Sequence, residues 1–293
     1  MKPFADRLIE ATAMHGPLCV GIDPHAGKIP AIFGGDTPDG IERWGQALVE
    51  IAIGRTGIVK PQIAFFERHG WPGLRALERI LARAREAGLL VLMDAKRGDI
   101  GSTAEGYTSA FLKEPAPFTC DALTVNPYMG LDTIEPHVKA AEQFGKGVVV
   151  LARTSNPGSA DFQSRDMGGA PLFERVVEAL APMIDRLTGA SGWSGLMLVT
   201  GATGPAEAKR LRELAPKALF LVPGYGAQGA GAKEALAGFV PDGNRLVGGI
   251  VNASRSLNFP EGADKATSID AWKEIVGAAM DAAREDLITA AGL

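Results

Sequence analysis

Eight short apolar runs, many of them rich in β-branched residues, recur along the chain, separated by longer stretches with helical spacing of Leu, Ala, Glu and Arg. The runs are Leu18 to Asp23, Gly57 to Gln62, Leu89 to Asp94, Ala122 to Asn126, Val148 to Arg153, Gly195 to Val199, Leu219 to Val222 and Leu246 to Val251. A strand with one wet face alternates apolar and polar residues. Near-continuous apolar character means burial on both faces, as in a parallel sheet covered by helices. Ile41 to Val49 and Leu74 to Leu81 repeat apolar residues at helical spacing, and Gly88 stands where the second helix should stop. Eight strand–helix units in 293 residues predict an α/β fold, a closed (β/α)8 TIM barrel formed as a single domain over residues 1–293. An open doubly wound sheet is the competing arrangement. Its dinucleotide-binding form needs a G-x-G-x-x-G turn after an early strand, whereas the first strand here runs into Asp23-Pro24-His25-Ala26-Gly27.

Composition narrows the function classes. Apolar residues make up 46% of the chain and charged residues 22%, which suits a packed core and not a disordered chain. The net charge is −4 and no basic block carries interleaved aromatics, so nucleic acid is not an expected partner. Local donors can still bind an anionic small molecule. Met1-Lys2-Pro3-Phe4-Ala5-Asp6-Arg7 becomes charged too early for a secretory signal. No apolar run reaches the roughly 18 residues of a membrane helix. Cys19 and Cys120 lie in apolar surroundings and read as buried free thiols, which suits a reducing compartment. The expectation is a cytoplasmic protein without a membrane partner. His15, His25, His69 and His137 show no metal-ligand spacing, so neither a metal nor another cofactor is expected, and His25 reads as a surface residue. Trp44 and Trp272 fall in helical patterns and read as packing between helices and barrel.

Two connections are long and rich in Gly, Pro and Asp, one over residues 24–40 and one over 156–171. Both follow strands, so a barrel places them on the face where its active sites are built, as lids or substrate walls. Plain surface insertions are the other reading, since long loops cost little.

The densest polar feature is Asp94-Ala95-Lys96-Arg97-Gly98-Asp99, directly after an apolar strand. On an extended chain Asp94 and Lys96 point the same way, toward the barrel mouth. Lys60 stands inside another strand pattern, Ile58-Val59-Lys60-Pro61, where a lysine is costly unless paired. Asp23 ends the first strand at the same level. A lone Asp–Lys pair reads as an ion pair bracing the rim, but two lysines and several acids at adjacent strand ends favour a site. At the other side of the rim, Pro223-Gly224-Tyr225-Gly226-Ala227-Gln228-Gly229 follows strand seven and Asn252-Ala253-Ser254-Arg255 follows strand eight. Loops seven and eight of such barrels often bind phosphate through backbone N–H groups, and Arg255 offers a fork to its oxygens. A Gly-rich loop alone is as often a mere turn.

Asp94-x-Lys96-x-x-Asp99 resembles the D-x-K-x-x-D signature of the orotidine-5′-phosphate decarboxylase superfamily, and the run from Asp94 to Thr103 resembles the decarboxylase family itself. The likeness extends through Val20 to Asp23, Val59 to Pro61, Thr154 to Gly158, Val199 to Thr203, Pro223 to Gly229 and Asn252 to Ser256. The long insertions resemble its expanded bacterial subtype, often called type 2. The resemblance implies cofactor-free decarboxylation of orotidine 5′-phosphate to UMP in pyrimidine biosynthesis. It implies a catalytic array of Lys60, Asp94, Lys96 and Asp99, with Lys96 stabilising and protonating the carbanion at ring carbon six. It further implies substrate contacts from Asp23, Thr103, Ser155, Gln228, Ser254 and Arg255. The site would be shared in a homodimer, Asp99 and Thr103 reaching across from the neighbouring subunit. Two other readings remain: a magnesium-dependent sugar-phosphate decarboxylase or aldolase of the same superfamily, and a non-catalytic barrel that binds a phosphate ligand. The first holds its metal with an acid on strand two, where this chain has Lys60, and a cation there opposes Mg²⁺.

Overall fold

The apolar runs become the staves of a closed barrel. A computed structural model describes residues 1–226 and 229–293. Among the described residues the barrel strands are β1 (Leu18–Ile22), β2 (Ile58–Pro61), β3 (Leu90–Arg97), β4 (Ala122–Val125), β5 (Gly147–Arg153), β6 (Ser194–Thr200), β7 (Ala218–Pro223) and β8 (Gly249–Ala253). Each lies parallel to the next, and β8 closes on β1 through Leu18–Val251, Cys19–Asn252 and Val20–Ala253. Alternate residues of a strand face opposite ways, and the core divides accordingly. Cys19, Ile58, Leu92, Val149, Met197, Leu219 and Ile250 fill the barrel, whereas Val20, Ile22, Val59 and Val91 meet the surrounding helices.

The helices carry the expected signals. Helix Pro38–Ala52 starts with proline in its first turn, and Thr37 Oγ1 accepts the Gly40 N–H at 3.1 Å. It buries Ile41, Trp44 and Leu48 against the strands. Helix Gly70–Glu86 is followed by Gly88 at φ 79°, the left-handed stop. Trp44 and Trp272 are both fully buried.

Two features depart from expectation. Leu246 and Val247 are not the start of β8. They belong to an antiparallel hairpin, Val240–Asp242 with Arg245–Val247, and the barrel strand begins at Gly249 and runs on to Ala253. Gly248 breaks the run at φ 124°, and its carbonyl accepts a bond from the buried Arg212 guanidinium at 2.9 Å. The second feature is helix Phe4–His15, which the sequence reading leaves unplaced. It stops the N-terminal end of the barrel. Phe4, Ala5 and Leu8 join the inner core, and Arg7 pairs with Asp121 at 2.5 Å. Cys19 and Cys120 are buried and unbridged. No helix among the described residues is long and apolar enough to cross a membrane.

His137, on helix Glu135–Phe144, is 1% exposed. The Thr108 hydroxyl donates to Ala104 O, so it accepts from Nδ1–H of His137, 3.1 Å away, and Nε2 is buried without a partner among the described residues. A second proton has nowhere to bond, and burial pushes the imidazole pKa down to about 4. The native state therefore prefers neutral His137. Its contribution is complete above the ordinary histidine pKa and is lost as the pH falls toward the depressed one. Between pH 7 and pH 4 the stability advantage of the parent over His137→Gln should shrink by about 3 kcal/mol. Urea unfolding across that range measures it, and parallel pH profiles for the two proteins would refute it.

Candidate active site

The C-terminal end of β3 carries the chemistry. Pairing with β4 passes from Met93–Leu123 directly to Arg97–Val125, so β3 spends four residues where β4 spends two. Asp94, Ala95 and Lys96 form this bulge, and Lys96 sits at φ 47°, the one non-glycine residue at positive φ among those described. Such a conformation costs roughly 1–2 kcal/mol. The expected extended alternation of Asp94 and Lys96 is therefore wrong in detail. The bulge, not the pleat, turns the Lys96 side chain back onto its neighbour.

That side chain donates from Nζ to Asp94 Oδ1 at 2.6 Å, and Lys60 from β2 donates to Asp94 Oδ2 at 2.9 Å. Thr124 of β4 donates its hydroxyl to Asp94 Oδ1 at 3.0 Å while accepting the N–H groups of Ala95 and Lys96 at 2.9 and 2.8 Å. Lys60 and Asp94 are buried, whereas Lys96 keeps 47% of its side chain exposed. Burial alone would raise the Asp94 carboxyl pKa, but the two ammonium groups overcome it and hold it well below the carboxylate range. Burial likewise opposes charge on Lys60, yet Asp94 first and Asp23 second keep it above the usual lysine value.

These groups line a cavity of about 210 Å³ whose other walls are Leu151, Val199, Leu221 and Pro223, with Thr154, Ser155 and Asn156 from the end of β5. Asn252 of β8 also faces it; its Nδ2 donates to Ser254 Oγ at 3.1 Å and its Oδ1 is buried without a partner among the described residues. Asp23, after β1, also has a buried Oδ1 with no partner among the described residues. A Cβ on Gly21 would fall 1.9 Å from Ser254 Oγ, so glycine is what lets the β8 loop lie over β1. The β5 segment is held by Gln163, which accepts the Thr154 N–H at 2.9 Å and donates to Thr154 Oγ1 at 2.8 Å, and by Arg153, which donates to Ser159 Oγ at 2.6 Å. The 156–171 connection is thus tied to the cavity wall. The 24–40 connection is pinned by Asp36, which binds Arg68 and accepts the Gly27 N–H at 3.3 Å.

The structure thus brings Lys60, Asp94, Lys96 and Ser155 together, with Asp23 and Ser254 beside them. Arg255 opens the short helix after β8 and lines a neighbouring depression of about 580 Å³ with Lys28, Arg68 and Phe259. His25, read from sequence as a surface residue, is half-buried there, its ring 4.4 Å from that of Phe65. Gln228 lies outside the described residues. Asp99 and Thr103 do not enter the cavity of their own chain: Asp99 Oδ1 accepts the Ile100 N–H at 2.7 Å, and Thr103 is exposed. Among the described residues no three His, Cys, Asp or Glu side chains gather as a metal site. From sequence, Thr124 is unremarked and Asn252 appears only at the head of the run after strand eight, with no role of its own. The signal present was a polar residue inside an otherwise apolar strand.

A family model described as orotidine 5′-phosphate decarboxylase / HUMPS family matches residues 16–258. The chain belongs to this family. The orotidine 5′-phosphate decarboxylase of Clostridium novyi is 38% identical over 261 residues, spanning 88% of this chain and 89% of its own. That of a Nocardioides species is 41% identical over 250 residues, 85% and 87% of the two chains. The structure of Leishmania donovani OMP decarboxylase covers 97% of this chain and 99% of its own at 34% identity, with a TM-score of 0.73. The family match runs from just before β1 to the helix after β8. It takes in every strand of the barrel, while the N-terminal stopper and the last helix, Ile269–Ala291, fall outside it.

Because the Asp94 pKa is depressed, the stability that its ion pairs contribute is complete above the ordinary carboxylate value and is lost as the pH falls from there toward the depressed one. Asp94→Asn should cost on the order of 3 kcal/mol of folding stability near neutral pH. The gap to the parent should begin to narrow as the pH drops below about 4. Denaturant titrations at pH 3 to 8 test this; a gap that persists unchanged at the acid end would show that Asp94 is not held ionised.

Proposed function

We propose that the chain catalyses cofactor-independent decarboxylation of orotidine 5′-phosphate to UMP, with Lys96 as the group that stabilises and protonates the reacting carbon. The supporting observation is the Lys60–Asp94–Lys96 array at the edge of a largely apolar cavity. Within one chain Asp94 binds both ammonium groups, and Lys96, its side chain 47% exposed, is the cation held at the cavity itself. When the bond between ring carbon six and the carboxylate breaks, its electron pair stays on the carbon. An ammonium fixed where that charge develops lowers the barrier most in a site closed to water. Proton transfer from Lys96 to carbon six then completes UMP, and the neutral amine regains its proton from water.

In this reading Asp94 orients Lys96 next to the departing carboxylate, and Lys60 keeps Asp94 ionised. Ser155 faces the pyrimidine. The unpartnered Oδ1 of Asp23 accepts a ribose hydroxyl, with Thr103 of the partner subunit beside it. Ser254, Arg255 and Gln228 receive the phosphate. Lys60 occupies the strand-two position at which a magnesium-dependent relative carries an acid, which favours the nucleotide reading. The expected signal is loss of the substrate absorbance when orotidine 5′-phosphate is added to the pure protein. Lys96→Ala should abolish turnover yet bind UMP within about three-fold of the parent. Turnover retained by that variant would remove Lys96 from its role.

The reading also makes the site a property of a homodimer in the cytoplasm. Asp99 faces away from its own cavity, and Ile100, Tyr128, Met129 and Leu131 beside it are exposed apolar side chains of the kind an interface covers. In the dimer Asp99 of the partner subunit completes the array. Mixing inactive Lys96→Ala with inactive Asp99→Ala protein should restore part of the activity, because some sites then hold both intact groups. Stable mixed dimers without activity would place Asp99 outside the reaction.

A further inference from the structure

Thr124 lies mid-strand in β4 between Leu123 and Val125 and is 1% exposed. A valine would fill the same space with the same branched shape, so packing does not account for a hydroxyl there. Three short bonds converge on its oxygen, and the Met93 carbonyl lies farther off at 3.5 Å. Two consecutive main-chain N–H groups, of Ala95 at 2.9 Å and Lys96 at 2.8 Å, donate to it. Its own proton points to Asp94 Oδ1 at 3.0 Å, the oxygen that also receives the Lys96 ammonium at 2.6 Å. Within the bulge, where the ladder of β3 and β4 skips from Met93 to Arg97, this side chain supplies the link between the strands.

We infer that Thr124 is a positioning residue for the decarboxylation, acting through Lys96; the inference rests on the function proposed above. A non-glycine residue holds a left-handed conformation only where its surroundings over-determine it. At Lys96 the oxygen of Thr124 does so, by capturing the Lys96 N–H and the one before it. The same hydroxyl fixes the rotation of the Asp94 carboxylate, which in turn sets where the ammonium rests. Removing the hydroxyl leaves two N–H groups without an acceptor and frees the bulge to relax toward extended strand, carrying Lys96 away from the reacting carbon. Lys96 interacts with the charge that develops during reaction more than with the bound nucleotide, so the loss falls on kcat and not on binding.

The experiment compares Thr124→Val and Thr124→Ser with the parent in the full chain, measuring kcat and KM for orotidine 5′-phosphate, UMP affinity and thermal unfolding. Thr124→Val should lose on the order of 100-fold in kcat, the scale of a 1 Å misplacement. UMP affinity should stay within about three-fold, and Thr124→Ser, which keeps the oxygen, should recover most of the rate. The inference is overturned if Thr124→Val keeps kcat within about three-fold of the parent. It is overturned equally if kcat and UMP affinity fall together, or if serine is as impaired as valine. Should Thr124→Val not fold, Thr124→Ala takes its place. If neither folds while serine does, the hydroxyl is a brace of the barrel and the inference fails. A parent that does not turn over orotidine 5′-phosphate would instead sink the proposed function, independently of Thr124.

Discussion

A carboxylate buried between two ammonium groups governs the rest of this molecule. Removing each ion from water costs several kcal/mol, and the cost is recovered only if the partners stay within hydrogen-bond distance at good geometry. At about 4 Å and an effective dielectric near 20, one such pair is worth roughly 4 kcal/mol. Asp94 has two, and a hydroxyl besides. The arrangement demands three adjacent strands ending at the same height, which a parallel barrel provides. It also demands that one of them leave regular geometry so that a side chain can fold back on its neighbour. The conformational cost at Lys96 is therefore part of how the site is built, and β4 supplies the side chain that sustains it.

The fold was largely legible because its determinants are local. Seven of the eight strands fall where apolar runs predict them, within a residue or two at the ends except that β3 runs three residues further, to Arg97, and Gly88 follows helix Gly70–Glu86 as expected. The eighth was misplaced because Leu246 and Val247 are as apolar as any strand residue. The Gly248-Gly249 pair inside the run is the one local sign of the turn, and Arg212, remote in sequence, braces it at the Gly248 carbonyl. The stopper helix Phe4–His15 was missed for a related reason: Phe4 and Leu8 are apolar enough to bury, but their destination is a hole that exists only once the barrel has closed.

The site was legible as a composition and not as a geometry. Lys60 and Asp94 announce themselves because charges inside apolar strands need partners, and they are each other's partner. The bulge does not announce itself; period-two reasoning placed Lys96 correctly for the wrong reason. Thr124 and Asn252 were passed over because single threonines and asparagines in strands are common, and only their neighbours across the ladder give them meaning. Phosphate binding at Arg255 follows from where barrels of this kind place their phosphate loops, and the second subunit at Asp99 follows from the resemblance; both involve groups outside this chain.

The bulge at the end of β3 has a consequence for how such a chain can vary. It holds two residues more than the strand beside it, an even excess. Arg97 therefore resumes the inside–outside phase that Met93 left, and its guanidinium can pair with Glu67 and lie 5.4 Å from the ring centre of Tyr107. One inserted or deleted residue would invert that parity, pushing a guanidinium toward the apolar interior and swinging an apolar side chain out to replace it. Changes of length at this strand end are thus confined to pairs, and the spacing between the acid and the lysine is protected by the arithmetic of the pleat as well as by chemistry.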